Sequence, residues 1–459
     1  MSLVIVLLWL LPVAALVVLH NRHKPVVARA LHKCRLWLQR ARLALAQHRQ
    51  AARAACLVVC ALAGLWVVRT TADILRLHLQ RAPTELAIAL DVRPLVVADR
   101  RPPAWFHHFN PSVATLPRGD GPALAVVAMR EASLHNCPVY GAWLNPARFL
   151  HVSSRIVLGV AARGRGVGGP FRVCGVLEKR ERTPNTLYQG IDDARLFVYH
   201  GACPGCGPRL GATIVINNHM FVSRFALSPD PTTTTTGNNN NGNTGNNNNG
   251  NREGEGEEEE EEGPCSIRET HRAEVHVAGT PRGTKEKNWM HVPDSAAAPD
   301  PAPRFVQWLN PLTVVALDLA TGEAAVVSRA PVRACVPRRL RGSTNLLPHP
   351  TRPGVLVGLV HEKVERYPPI VISFFTTRVV AVEARADGAY RLVGLSRAFR
   401  LPAAPHDATA HRIQYPMSIA YTDAARSTIA VAMGYMDCTA HTLYANTTDI
   451  LSLIQPLDC

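Results

Sequence analysis

Gly190-Ile191-Asp192-Asp193-Ala194-Arg195-Leu196-Phe197 places two carboxylates and a guanidinium directly ahead of an apolar run that continues through Val198 and Tyr199. The run has the β-branched and aromatic character of a strand. Successive strand side chains point to opposite faces, so Asp192 and Asp193 serve different sides and Asp193 shares a side with Arg195. An acid beside a fixed guanidinium at a strand start suits work on a sugar hydroxyl or a phosphate. The plain alternative is a polar turn carrying a surface ion pair. The company this stretch keeps weighs between the two.

From residue 86 onward, short apolar runs alternate with Gly, Pro and Asn/Asp turns. Runs at 123–129, 156–160, 212–216, 312–317, 355–360, 378–383 and 428–433 each fit one strand. Ala320-Thr321-Gly322 and Ala386-Asp387-Gly388 read as turns between paired strands. Long helical periodicity is scarce, so the fold class is all-β. Regular short meanders over this length point to a sandwich array or a propeller, and no WD or kelch repeat is present. Residues 228–264 interrupt the pattern, passing from threonines through an Asn/Gly tract into Glu257 to Glu262. Such a segment cannot bury a core and is expected to be a disordered insertion.

The chain has 459 residues and a formal charge of +15, unevenly placed. No acidic residue precedes Asp73, while Arg22, Lys24, Arg29, Lys33 and Arg35 crowd the start. That asymmetry reads as topogenic, and nucleic acid is not expected as a partner. Residues 3–19 are almost continuously apolar and long enough to cross a bilayer, and 54–68 form a shorter second run. Residues 31–52 between them read as an Arg-rich amphipathic helix. The expected organisation is a membrane anchor and basic stem over 1–80, with one or two transmembrane helices, then a β domain over 81–459. That domain would be lumenal, in the Golgi or endoplasmic reticulum. Eight cysteines outside the stem fit an oxidising compartment, although their pairing is not legible. Cys203-Pro204-Gly205-Cys206 reads as a disulfide or tight turn in preference to a redox or metal site. Asn446-Thr447-Thr448 is a glycosylation sequon at Asn446.

Four further stretches combine polar groups with strand context. They are Phe109-Asn110-Pro111-Ser112, Lys285-Glu286-Lys287-Asn288-Trp289, Arg341-Gly342-Ser343-Thr344-Asn345 and Met433-Gly434-Tyr435-Met436-Asp437-Cys438. His361-Glu362-Lys363 closes the strand after the third.

In this order the stretches resemble the five-bladed β-propeller family of β-mannoside phosphorylases and related β-mannosyltransferases, glycoside hydrolase family 130. That family carries an early Asn-Pro-Ser, a Gly-x-Glu-Asp-Pro-Arg, a Lys-Asn-Trp, a Gly-Gly-Thr and a late Ser-Tyr-Gly-x-x-Asp. Here Asn110-Pro111-Ser112 and Lys287-Asn288-Trp289 match in full. Gly190 to Arg195 has Asp for Glu at 192 and Ala for Pro at 194, Gly342-Ser343-Thr344 has Ser for Gly, and Met433 to Asp437 matches loosely. The resemblance spans roughly residues 105 to 440.

The resemblance implies one axial pocket with a motif from each blade, and an inverting reaction on mannosyl glycans. Asp193 would be the catalytic acid. Arg195, Lys287 and His361 would hold phosphate or a phosphosugar. Asn110, Asp192, Asn288, Thr344 and Asp437 would bind the sugar, and Trp289 would stack on its ring. The partners implied are a phosphosugar or nucleotide-sugar donor, a glycan acceptor, and the membrane through the N-terminal helix. No metal motif and no cofactor is expected. A membrane-anchored glycosyltransferase is the leading reading. A phosphorylase or hydrolase of β-mannosides, or an inactive glycan-binding propeller, stands as the alternative. Ala194 loosens the backbone beside the acid and favours the inactive form, whereas intact Asp193, Arg195 and Lys287 favour turnover.

Overall fold

Runs such as 123–129 have no polar face, and the structure gives the reason: their strands are covered on both sides. The computed structural model describes residues 58–62, 88, 90–95, 107–118, 121–132, 152–161, 170–179, 188–201, 207–216, 219–228, 265–281, 287–294, 302–366, 372–402, 414–435 and 439–457. The chain divides into two compact units, Met1–Thr84 with Val364–Phe374, and Glu85–Lys363 with Phe375–Cys459. In the first, residues 58–62 are helical. The expected spans at 3–19 and 54–68 otherwise lie outside the described residues, as do the insertion expected at 228–264, apart from Ser228, and Cys203-Cys206. Among the described residues no helix is long and apolar enough to cross a membrane.

The second unit is a succession of antiparallel meanders. After β1 (Asp91–Pro94), the first holds β2 (His107–Arg118), β3 (Gly121–Ala132), β4 (Val152–Ala161) and β5 (Phe171–Leu177). The next holds β6 (Tyr188–His200), β7 (Pro208–Ile216), β8 (His219–Leu227) and β9 (Ile267–Glu274). The third holds β10 (His276–Val277), β11 (Met290–Val292), β12 (Arg304–Leu309), β13 (Leu312–Leu317) and β14 (Glu323–Arg329). The fourth holds β15 (Leu340–Gly342), β16 (Leu347–Pro348), β17 (Val355–Arg366), β18 (Ile372–Ala384) and β19 (Tyr390–Leu395). The last holds β20 (Gln414–Tyr421), β21 (Thr428–Tyr435) and β22 (Thr439–Asn446), followed by a short helix, Thr447–Ser452, and β23 (Gln455–Pro456).

The first two meanders join through a short parallel pairing of β4 with β6. β1 pairs with β22, so the earliest described strand completes the last sheet, and β23 pairs with β19. The all-β expectation holds for the described second unit.

The period-2 alternation of each strand sends its side chains into two different cores. Val126 and Ala128 of β3 pack with Ile191, Leu196 and Leu210 of the second meander. Val127 and Met129 pack with Ala420, Ala430 and Ala432 of the last. Phe197 and Tyr199 meet Trp289 and Phe305 of the third, Met290 and Val314 meet Val360 and Val380 of the fourth, and Leu359 and Val379 meet Ile419 and Val431 of the last. Every apolar cluster just named therefore lies between two successive meanders, or between the last and the first. Each fully buried Leu, Ile, Val or Phe in them contributes about 1.5–3 kcal/mol. A disulfide joins Cys174 in β5 to Cys265 ahead of β9, closing a sequence separation of 91.

Candidate active site

β2 and β20 stand at sheet edges and β6 is paired with β4 only at its start, and an uncovered edge leaves backbone groups to satisfy. Side chains of neighbouring strands and loops satisfy some of them. Ser112 Oγ accepts from the Leu196 amide at 2.9 Å, and Ser418 Oγ accepts from the Val113 amide at 2.7 Å. Asn345 exchanges two hydrogen bonds with the backbone of Ile419, each at 3.0 Å. β2 is thereby laced to β6 and to β20, and the loop after β15 to β20, with Ser112 of the quoted Asn-Pro-Ser part of the lacing.

The same strands carry bulges where the functional residues sit. Register shifts fall between Phe109 and Ser112 in β2, between Ile191 and Ala194 in β6, and between Pro416 and Ser418 in β20. A bulge re-aims the side chains around it. At β6 it separates the two aspartates. Asn110 Nδ2 donates to Asp193 Oδ1 at 3.1 Å, and Arg130 Nη2 donates to Asp192 Oδ1 at 3.1 Å. Arg130 also donates to Ser154 Oγ at 3.1 Å, and its guanidinium lies over the Phe109 ring.

Arg195 is the hub. It is 8% exposed, and it donates to Asn288 Oδ1 at 3.2 Å, to the Tyr415 hydroxyl at 2.9 Å and to the Met417 carbonyl at 3.3 Å. Tyr415 in turn donates its hydroxyl to Asn288 Oδ1. These three acceptors on Arg195 are neutral oxygens. Three opening segments thus converge: β6, the one ahead of β11, and β20. A buried cation is ordinarily matched by a negative charge, so this arrangement suits an incoming anion.

His361 packs beside it. Its ring meets Tyr415 edge-on at 5.0 Å and Phe375 at 5.6 Å, and its Nδ1 bonds Ser343 Oγ at 2.8 Å. Burial pushes the imidazole down to about 3, with Arg195, Lys287 and Arg341 adding repulsion. His361 is accordingly neutral near pH 7, and any part it takes in holding an anion is by hydrogen bonding. Lys287 is exposed.

Two of the quoted asparagines carry unusual backbones: Asn110 has φ +50° and Asn288 φ +65°. Asparagine tolerates this region better than most residues. Neighbouring glycines leave room for both. A Cβ at Gly434 would collide with the Asn110 side chain, and one at Gly342 with the Asn288 carbonyl. Gly342 and Gly434 of the quoted stretches are thus close-approach positions.

Other expected residues fall elsewhere. Trp289 is 2% exposed and packs in the apolar cluster with Phe197 and Phe305, so its ring serves the core and presents no face to a sugar. Thr344 is fully buried, accepting from the Leu359 amide at 2.9 Å and donating to the Asn345 carbonyl at 2.8 Å, which makes it a backbone clamp. Asp437 lies outside the described residues. Asn446 is exposed and caps the short helix, its Oδ1 accepting from the Thr448 amide at 3.0 Å. Tyr415 and Arg130 escaped the sequence reading. Tyr415-Pro416-Met417-Ser418 sits where Asn110-Pro111-Ser112 sits, at the start of a meander, and that parallel was the available signal.

No protein-family model matches the chain, and no curated protein matches it. Solved structures with a similar trace include a β-1,2-mannobiose phosphorylase from Listeria innocua, at 11% identity and TM-score 0.44, covering 80% of this chain and 99% of that one. A GDP-Man-dependent mannosyltransferase from Leishmania mexicana matches at 9% identity and TM-score 0.41, covering 82% and 94%. A mannose phosphorylase from the same organism, in complex with phosphate, matches at 9% identity and TM-score 0.36, covering 85% and 96%.

Proposed function

We propose that the chain is an inverting glycosyltransferase of mannosyl type, built as a five-bladed β-propeller with the opening strands of its meanders around one pocket. The observation that carries this is Arg195, buried and held by three neutral oxygens, in the strand that also presents Asp193. In the transfer direction an acceptor hydroxyl attacks the anomeric carbon. Its proton passes to Asp193, and the bond from that carbon to the phosphate leaving group breaks. Arg195 and Lys287 hold the phosphoester anion that departs, and Asn110 keeps the Asp193 carboxylate aimed at the acceptor. Asp192, aligned by Arg130, binds a sugar hydroxyl. The cyclic order of the apolar clusters, and β1 completing the last sheet, support closure of the propeller. The Cys174–Cys265 disulfide supports a lumenal, oxidising setting for the β domain.

The test is donor turnover by the full chain, purified in detergent, with GDP-mannose and with mannose 1-phosphate, beside Asp193→Asn. Transfer from one donor that vanishes in the variant establishes the reading. Phosphorolysis of β-mannosides without transfer from either donor reverses the direction. Background signal from both proteins, with the fold intact, removes the catalytic role of Asp193.

A further inference from the structure

A separate recess, with both apolar and basic walls, opens at the other end of the fourth meander. It is a cleft of about 420 Å³, within the range of small-ligand sites, with Arg304, Arg352, Arg426, His349 and Tyr390 in its wall. Val355 and Leu356 at the start of β17 also line it, whereas His361 of the central site lies five residues further along that strand. At the strand rise that is a separation of roughly 16 Å.

The backbone turns that carry Arg352 and Arg426 are braced. Pro348, Pro350 and Pro353 restrict the loop that carries Arg352. Within it His349 Nδ1 accepts from the amides of Thr351 and Arg352, each at 3.2 Å. Burial, with Arg352 adding repulsion, lowers the His349 pKa and keeps that lone pair available. Arg426 sits at φ +56°, in a turn pinned by Asp423, which accepts from the Ser427 and Thr428 amides at 3.0 Å. A non-glycine residue held there is the kind of strain that gathers at ligand clamps. The Arg426 guanidinium lies over the Tyr421 ring, and the Tyr421 hydroxyl donates to the Pro348 carbonyl at 2.7 Å, tying the turn to the proline loop. Arg304 approaches the Tyr390 hydroxyl at 3.4 Å. The one carboxylate in the wall, Asp294, accepts from the His200 amide at 3.2 Å.

Arg352 and Arg426 line this cleft from two braced turns, beside the apolar walls of Val355 and Leu356, and guanidiniums in such a setting match a tetrahedral oxyanion on a small organic body. The geometry points to a second binding site, separate from the Arg195 centre, for a small molecule bearing a phosphate or sulfate ester.

Calorimetric titration of the full chain with glucose 6-phosphate and with inorganic phosphate tests this, beside Arg352→Ser, Arg426→Gly and Arg195→Met. Arg426→Gly removes the cation while easing the positive-φ turn, so it tests the site without endangering the fold. The expected result is ester binding that survives Arg195→Met and weakens about tenfold or more in Arg352→Ser and in Arg426→Gly. Ester affinity unchanged in both of those variants, or abolished by Arg195→Met, overturns the second site. In Arg195→Met, where the central site no longer takes an anion, inorganic phosphate binding as tightly as the ester overturns the ester assignment.

Discussion

Asn110 donates its side-chain amide to Asp193 at 3.1 Å, although 83 residues separate the two. The contact exists because Asn110 holds φ +50° at one bulge and Asp193 lies at another. Replacing Asn110 with Ala and with Gly separates hydrogen bond from backbone. Both variants lose the amide, and kcat is expected to fall by about one to two orders of magnitude in each. Asn110→Gly is expected to be the more stable by about 1 kcal/mol, because glycine enters positive φ without a Cβ penalty. Urea unfolding reads the difference, and equal midpoints would show that the backbone there is unstrained.

Arg195 gives a prediction that needs no substrate. If its buried guanidinium awaits an anion, inorganic phosphate stabilises the fold by mass action, by about 2.7 kcal/mol at a hundredfold excess over Kd. Arg195→Met fills similar space without charge and is expected to abolish the stabilisation from this site. Arg195→Lys keeps the charge but loses the planar fork shared by Asn288 and Tyr415, and is expected to bind more weakly. Thermal unfolding of the three proteins across a phosphate series measures this. A phosphate-dependent rise that is undiminished in Arg195→Met would move the anion elsewhere.

Gly434 touches the chemistry only through Asn110. Its replacement by alanine sets a methyl group against the Asn110 side chain. The expected outcome is a fall in kcat of about tenfold or more, with KM for the donor little changed, because it is Asp193 that loses its aligning partner. Gly388, at φ +81° with open space around it, is the control: Gly388→Ala is expected to cost stability alone. Steady-state kinetics on both variants distinguish the cases. Full activity in Gly434→Ala would show that Asn110 has room to move.

The strands were legible because apolar runs with β-branched residues leave few other options, and their lack of a polar face reflects cores on both sides. The polar stretches were legible as a set because each combines polar groups with a neighbouring strand, at the start of β2 and β6, ahead of β11, after β15 and at the end of β21. Bulges are not written in any period. They break the simple alternation at β6 and set Asp192 on Arg130 and Asp193 on Asn110. Trp289 and Thr344 share their stretches with Asn288 and Ser343, yet Trp289 packs in the core and Thr344 clamps the backbone, because these segments lie outside the strands and their local backbone, with Asn288 at φ +65°, follows no simple alternation. Tyr415 stayed hidden because a tyrosine before a proline is commonplace until the fold brings its hydroxyl to Arg195.

Acid sensitivity follows from two histidines. Burial lowers both His291 and His361 to about 3, against 6.5 for an exposed imidazole. Between those values the unfolded chain binds protons that the folded chain refuses. Stability is therefore complete above about pH 6.5 and falls as pH drops toward 3, by about 1.4 kcal/mol per pH unit for each histidine. His291 is the cleaner probe. Its ring stacks on Phe197 at 5.1 Å and meets Phe305 at 5.4 Å, and its buried Nε2 makes no hydrogen bond among the described residues. His291→Phe keeps the aromatic packing and removes the proton site. It is expected to be near neutral at about pH 7.5 and to flatten the loss of stability below about pH 6. Urea unfolding of both proteins across this range decides the matter, and parallel pH profiles would place the acid sensitivity in other groups.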